Sequence, residues 1–324
     1  MAQPLLEARF SQSLRVLSFN VNMLPHVAGR GRVDLRRAEK IVEALADEAH
    51  HFDLICLQEV FTDASRDIFS RELAGVFPHQ VARCCPPSRF WTASGLFFAS
   101  RFPIVSEPRF ETFREYATLS SDAFAMKGVF GVKVDISSTL HPAENSIGKA
   151  TLCVFNTHLQ SAPRWRNQRM GQLDHIRRFM LDELDGMSAE STSMLLCGDM
   201  NVAGEIAPSS PLQPTEEYGQ MMQRLGTAED AFRSHAPGDP GFTWDGSDNA
   251  WIPSFPASAG APERLDYVLG FGRAPDPTSP VEIRRLQVTH AAVEKFGSDR
   301  DTRLSDHFAV SATFGIEANR TTLK

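Results

Sequence analysis

Short apolar runs recur along this chain, separated by stretches in which apolar residues return at helical spacing. The runs at 14–20 (LRVLSFN), 53–58 (DLICLQ), 94–99 (SGLFFA), 151–156 (TLCVFN) and 194–197 (MLLC) predict buried strands. Residues 126–136 (MKGVFGVKVDI) alternate well enough for another strand. Residues 104–105, 264–270, 281–289 and 308–314 predict four more. A helix is expected over 34–49, where Asp34 is a plausible N-cap and Leu35, Ala38, Ile41, Val42 and Leu45 form one face. Further helices are expected over 64–74, 164–184 and 215–225, with Leu173, Ile176, Met180 and Leu184 forming the buried face of the longest. The stretches 26–32, 137–149, 203–214 and 238–262 are polar or rich in Pro, Ser and Gly, and predict loops.

The ends of the apolar runs carry the chemistry. The run before Gly198 breaks into Asp199-Met200-Asn201, a carboxylate and a carboxamide two residues apart. In extended backbone these two point the same way, an arrangement suited to a hard cation or a phosphoryl oxygen. The same four residues also make an ordinary turn. Other runs finish alike: 14–20 in Asn20, 53–58 in Glu59 and 151–156 in His158, while Asp266 and the Asp306-His307 pair lie at two more strand edges. Charged groups beside fully apolar runs are costly unless they meet partners, so their recurrence points to one shared site. The set is rich in oxygen ligands and has no Ser or Cys beside a base, which favours Mg²⁺ over zinc and metal-assisted attack of water on a phosphoester.

Composition bounds the rest. With 324 residues, 42% of them hydrophobic, and no linker-like break, one large α/β domain is expected. It covers 14–315, between an N-terminal extension (1–13) and a short tail (316–324). The net charge of -7 offers no basic footprint for a polyanion. Residues 1–13 lack the apolar core of a signal peptide, and no run reaches membrane-spanning length, so a cytoplasmic or peripheral-membrane protein is expected, acting as a monomer. Of five cysteines, Cys56, Cys153 and Cys197 fall inside apolar runs, and Cys84-Cys85 is a poor disulfide start. Reduced thiols are expected.

The ordered set Ser18-Phe19-Asn20, Leu57-Gln58-Glu59, Asn156-Thr157-His158-Leu159, Gly198-Asp199-Met200-Asn201, Leu265-Asp266-Tyr267 and Ser305-Asp306-His307 resembles the endonuclease/exonuclease/phosphatase (DNase-I-like) superfamily. Within it, Asn20-Val21-Asn22-Met23-Leu24-Pro25, Gln58-Glu59-Val60-Phe61, Lys127-Gly128-Val129 and Asn156-Thr157-His158-Leu159-Gln160 are most similar to neutral sphingomyelinases. The resemblance implies a four-layer α/β sandwich of two packed mixed β-sheets flanked by helices. It implies Glu59 and Asn20 as Mg²⁺ ligands (Mn²⁺ or Co²⁺ substituting), Asp306 beside the metal, and Asp199 and Asn201 positioning phosphate and water, with or without a second metal. His307 would be the general base, oriented by Asp266. His158 would stabilise phosphoryl oxygens or protonate the leaving alkoxide, and Lys127 would neutralise a phosphate oxygen.

The implied substrate is sphingomyelin or a related choline phospholipid, cleaved by phospholipase C-type chemistry. Contact with a membrane surface would come through Phe90-Trp91 or the aromatics of 249–256, unless that loop folds back on the core. A nuclease or deadenylase of the same superfamily is the alternative. It would need a basic groove, for which Arg164, Arg166 and Arg169 are the candidates and six lysines in all are few. An inositol-phosphate phosphatase and a non-catalytic binding module complete the alternatives.

Overall fold

The computed structural model describes residues 13–24, 35–47, 51–85, 93–118, 120–140, 151–184, 192–206, 211–226, 228–252, 261–271 and 283–318. Fourteen strands lie among them: β1 (Ser13–Met23), β2 (Leu54–Val60), β3 (His79–Val81), β4 (Phe97–Ser100), β5 (Arg109–Thr112), β6 (Gly128–Asp135), β7 (Thr151–His158), β8 (Thr192–Asp199), β9 (Glu205–Ile206), β10 (Gln213–Pro214), β11 (Ala228–Asp230), β12 (Asp266–Phe271), β13 (Ile283–Glu294) and β14 (Ala309–Ala318). Two six-stranded sheets result, ordered β13-β14-β1-β2-β4-β3 and β11-β12-β8-β7-β6-β5, and β9 pairs with β10 separately. Both sheets are mixed. Their parallel pairs, β1 with β2 and β7 with β8, lie near the middle of each.

The sheets face each other across a core that includes Val16, Leu54, Cys56, Val132, Val154, Leu195, Val268 and Val310. Helices α1 (Leu35–Ala46) and α2 (Asp63–Leu73) cover the outer face of the first sheet, where Ile41, Leu45 and Phe69 meet Leu17, Phe19 and Leu57. Helices α3 (Arg166–Leu184) and α4 (Glu216–Leu225) cover the second, where Leu173, Ile176 and Met221 meet Phe155, Leu196 and Tyr267. This is the four-layer α/β sandwich. Central strands buried on both faces explain why their sequences run apolar without alternation. Each fully buried Leu, Val, Ile or Phe contributes roughly 1.5–3 kcal/mol.

The predicted elements stand with shifted ends. Strand β1 runs past Asn20 to Met23, and β7 runs through His158. The strand expected over 94–99 is confined to β4, and residues 104–105 contribute only a single bridge, Ile104 to Val134. The helix expected over 164–184 begins with a 3-10 turn (Pro163–Trp165). Strands β3, β5, β9, β10 and β11 were not predicted. They are two to four residues long, and most of their side chains are partly or fully exposed, so they carry little apolar signal. The N-cap expected at Asp34, the loop 26–32 and Phe90-Trp91 lie outside the described residues. Cys56, Cys153 and Cys197 are buried free thiols, and Cys84 and Cys85 are free as well. Among the described residues no helix is long and apolar enough to cross a membrane.

Candidate active site

Strand register assembles the site at one edge of the two sheets. Asp199, the last residue of β8, pairs with His158 of β7 on one side and with Asp266 of β12 on the other. On the facing sheet Asn20 of β1 is in register with Gln58 of β2, and Glu59 follows. The two sheets are tied at this level by side chains. Asn20 Nδ2 donates to Asp199 Oδ2 at 3.0 Å and to Glu59 Oε1 at 3.2 Å. One layer deeper, Gln58 Nε2 donates to Asn156 Oδ1 at 2.8 Å, and Asn156 Nδ2 donates to the carbonyls of Leu57 and Phe97.

Backbone strain collects here. Asn22, Glu59 and Asn201 have φ of 48°, 62° and 50°, left-handed values that non-glycine residues seldom adopt. For Glu59 the turn is closed by Val60 N–H donating to Gly95 O at 2.8 Å. For Asn201 it is closed by its own N–H donating to Asp199 Oδ1 at 2.9 Å. Asp199 and Asn201 are thus related by a side-chain-capped turn and not by strand alternation. The Asn201 amide nitrogen donates to Leu159 O at 3.2 Å.

His307 is held from one side and open on the other. Its Nδ1 lies 2.8 Å from Asp266 Oδ2, and its Nε2 lies 3.8 Å from Asp199 Oδ2. Burial disfavours the imidazolium, but Asp266, Asp199 and Asp306 outweigh it and hold the pKa well above the ordinary histidine value. Ser305 fixes this segment by donating its hydroxyl to Asn20 O at 2.7 Å. Thr243 Oγ1 accepts from the backbone N–H groups of Leu265 and Asp266, fixing the carboxylate partner.

His158 behaves differently. Burial first, then the Lys127 charge, push its pKa down to about 3, so the ring is neutral. Lys127 Nζ approaches His158 Nε2 at 3.0 Å, and an ammonium can only donate, so Nε2 is the acceptor and the ring proton sits on Nδ1. Nε2 also lies 3.4 Å from Asp199 Oδ2, and Nδ1 has no hydrogen-bond partner among the described residues. Lys127 is not an open cation. It is 6% exposed and directs its ammonium to Asp122 Oδ2 (2.8 Å), Leu159 O (2.9 Å) and His158. Lys127, expected to meet a phosphate oxygen, pairs with Asp122 in this ligand-free arrangement. Asp122, which also accepts from Gln160 Nε2 and Ser161 N–H, loses some charge preference to burial, but Lys127 and the other partners hold its pKa at about 2.

The acids fit a cation. Burial and the neighbouring Asp306 charge push the Glu59 carboxyl up to about 7, against the opposing pull of Lys127, His307 and Asn20. A carboxylate so opposed by a second acid, beside Asp199, is the donor chemistry of an oxygen-ligated divalent ion. Donor atoms of Asp199, Asp266 and His307 also lie within 4.8 Å of one another. The Asp266–His307 hydrogen bond already engages two of those residues. Asn20, expected as a ligand, presents its nitrogen to both carboxylates, and its oxygen accepts from Asn22 N–H at 3.1 Å. It spaces the acids in this arrangement.

Two further residues at the site carry no recognisable signal in the sequence. Asp122 sits between β5 and β6, in a 3-10 turn over Ser121–Phe124. Arg37 looks like a surface helix residue, yet it is 8% exposed and donates to Val21 O (2.6 Å) and Leu304 O (2.8 Å), stitching the end of β1 to the segment that carries Asp306 and His307. Two of the three arginines considered for a basic groove are ion-paired. Arg166 pairs with Glu216 at 2.7 Å, buried Arg169 pairs with Glu217 and donates to the carbonyls of Gln160 and Ala162, and Arg164 stacks on Trp165. Of the loop 249–256, Ile252 is buried, and Trp251, 45% exposed, donates its ring N–H to Arg303 O. Residues 253–256 lie outside the described set.

Comparison with known proteins agrees with this geometry at the level of fold. Over 190 residues (53% of the chain, 16% of the relative) the chain is 36% identical to an uncharacterized protein of Dictyostelium discoideum. Over 166 residues (47% of the chain, 24% of the relative) it is 31% identical to sphingomyelin phosphodiesterase 3 of Mus musculus. The matched segments thus span less than a third of these relatives' own lengths. Among solved structures, sphingomyelinase C from Streptomyces griseocarneus superposes with a TM-score of 0.65 at 21% identity, covering 94% of this chain and 99% of that one. A beta toxin variant from Staphylococcus aureus with bound magnesium ions gives 0.65 at 20% identity (93% and 99%). Danio rerio TDP2 complexed with a single-strand DNA product gives 0.62 at 17% identity (93% and 98%). The sequence model of the endonuclease/exonuclease/phosphatase family matches residues 17–307, from β1 to His307, and the chain belongs to that family.

Proposed function

We propose that this protein is a metal-dependent phosphodiesterase that cleaves a choline phospholipid, sphingomyelin foremost, into a lipid alcohol and phosphocholine. The observation that carries the reading is the cross-sheet array of Glu59, Asn20, Asp199, Asp266 and His307, in which one imidazole nitrogen is anchored and the other is open. Glu59, with Asp199 and Asp306, would hold Mg²⁺, which when bound supplies positive charge against the phosphoryl oxygens. His307 accepts the proton of the attacking water at Nε2, while Asp266 keeps the Nδ1 proton in place and stabilises the imidazolium that forms. Asn20 and Asn201 set the spacing of the acids and the phosphate-facing turn. His158, held by Lys127 at Nε2, lines that wall of the site without adding negative charge.

Support for a lipid diester over a nucleic acid comes from two sides. The curated relative at 31% identity is a sphingomyelin phosphodiesterase, and among the described residues Arg166 and Arg169 are engaged in internal pairs. The test is initial rate on sphingomyelin in detergent micelles against a single-stranded oligonucleotide at matched Mg²⁺. Faster lipid cleavage is expected. Faster oligonucleotide cleavage would move the chain to the nuclease side of its family, keeping the metal and base assignments.

A further inference from the structure

Arg264 lies two residues ahead of Asp266 and is 1% exposed, and the hydrolytic chemistry described above makes no use of it. A guanidinium stripped of water is tolerated only where acids and acceptors replace it. Here Nε and Nη2 donate to the two oxygens of Glu205 at 3.0 and 2.7 Å, a bidentate pair, and Nη1 donates to Asp230 Oδ2 at 2.7 Å. Both acids are buried and take further donors. Arg233 Nη1 reaches Glu205 Oε1, the Tyr218 hydroxyl reaches Asp230 Oδ2, and the Arg233 backbone N–H reaches Asp230 Oδ1. Two arginines and two carboxylates balance in charge, and the Tyr267 ring covers the guanidinium at 4.6 Å. Among the described residues, none of the cluster's side-chain hydrogen bonds reaches Asp199, Asp266 or His307.

What the cluster holds is backbone. Glu205 lies four residues after Asn201, on the segment that leaves β8, and Arg264 lies on the segment that enters β12. Gly204 N–H donates to Arg264 O at 3.0 Å, Met200 N–H donates to Leu265 O at 2.9 Å, and Asp199 then pairs in register with Asp266. Asp230 grips the same guanidinium from β11, which flanks β12 on the side away from β8. Main-chain bonds alone let the end of such a ladder splay, whereas a guanidinium fork accepts one separation and one angle. There is little slack: a Cβ on Gly204 would stand 2.7 Å from Arg264 Nη2 and 3.0 Å from the Tyr267 hydroxyl oxygen. Stability alone gives no reason for charge here, since apolar side chains of like volume often hold a core as well. We infer that Arg264 is a positioning residue for hydrolysis: its fork on Glu205 and its bond to Asp230 set the spacing between the Asn201 turn and the Asp266 carboxylate, and through Asp266 the aim of the His307 ring. The inference rests on the phosphodiesterase reading, in which the Asp266–His307 pair takes the proton of water, and deepens it.

Three variants separate positioning from stability. Arg264→Lys keeps the charge and loses the fork. Gly204→Ala keeps every charge and sets a methyl group against the guanidinium. Arg264→Met with Glu205→Gln and Asp230→Asn removes the buried charges together. With bis(p-nitrophenyl) phosphate and saturating Mg²⁺, Arg264→Lys and Gly204→Ala should each lower kcat about tenfold and leave KM within about twofold, as expected of a misaimed group that does not touch substrate. The neutral triple variant should regain the urea-unfolding stability lost in Arg264→Lys but not the kcat. In the metal-free protein, the low-field Nδ1 proton resonance of His307, identified by its loss in Asp266→Asn, should shift or broaden in all three variants. A kcat that returns with stability in the triple variant, an unchanged kcat in Arg264→Lys and Gly204→Ala, or a His307 proton unmoved in both overturns the positioning role. A wild type that cleaves no phosphodiester would overturn the phosphodiesterase reading instead, and the His307 resonance would still decide whether Arg264 aims the ring.

Discussion

Glu59 shows how one residue's surroundings set its use. A carboxyl raised to about 7 by burial and by Asp306 carries its proton below that pH, and a cation must displace the proton to bind. Mg²⁺ affinity should therefore rise as pH increases from 6 to 8, with proton release measurable by calorimetry in buffers of different ionisation enthalpy. Glu59→Gln should weaken Mg²⁺ binding and flatten that pH dependence while leaving the fold intact. His307 gives a second residue-scale expectation. Its partner acids raise its pKa against the effect of burial, and a base works only when deprotonated, so the rate should climb with pH to a midpoint above about 6.5. Asp266→Asn removes the largest of the raising charges. The midpoint should move down, and turnover should fall as the imidazole loses its fixed tautomer. A profile that keeps its midpoint in the Asn variant would break the pairing. Asn20, Glu59, His158 and Asp199 were legible from sequence because a polar side chain ending an apolar strand has few partners except others at the same sheet edge.

Elements determine what the strand ends cannot. The β5–β6 loop supplies Asp122, and no periodicity or run-end rule marks a lone aspartate in a loop. Its meaning comes from Lys127, five residues on, which the fold buries against it. Asp122 has its pKa held at about 2, below its ordinary value, so the stability it contributes is fully present above about pH 4 and is lost as pH falls toward 2. The contribution is about 2 kcal/mol, for a side chain 12% exposed. Asp122→Asn should destabilise by more, about 3 kcal/mol in urea unfolding, because Lys127 is left buried beside a neutral partner. Asp122→Asn combined with Lys127→Met should recover part of that loss. Equal losses in single and double variants would mean the pair is not coupled. Helix α1 teaches the same lesson with Arg37, whose guanidinium reaches the carbonyls of Val21 and Leu304. Helical spacing assigned the apolar face of α1 correctly but cannot say that a charged neighbour of Ala38 turns inward. Arg37→Lys, with a single ammonium in place of a fork, should lower kcat about tenfold with little change in KM, since it loosens the tie between Asn20 and His307 and not the substrate contacts.

At the scale of the molecule, the sandwich and its family followed from the order of strand-end residues, because buried central strands leave an unbroken apolar signal. The edge strands β3, β5 and β11 did not follow, since their identity depends on which neighbour they pair with and not on their own composition. Charge is the other whole-molecule property, and it bears on substrate class. With a net charge of -7 and with Arg166 and Arg169 bound to Glu216 and Glu217, no row of unpaired cations leads along a strand of nucleic acid toward His307 among the described residues. A nuclease that contacted several phosphates would lose affinity steeply with salt, by a log–log slope of about -0.7 per contacted phosphate on a single strand. A phospholipase whose substrate presents one phosphodiester with a balancing ammonium releases no such counterion layer. The kcat/KM on sphingomyelin micelles, measured from 50 to 300 mM KCl at constant Mg²⁺, should therefore change by less than about twofold. A slope steeper than about -2 on any tested diester would require a basic path to the site, built from residues outside the described set, and would make that diester the better guide to what the protein cleaves.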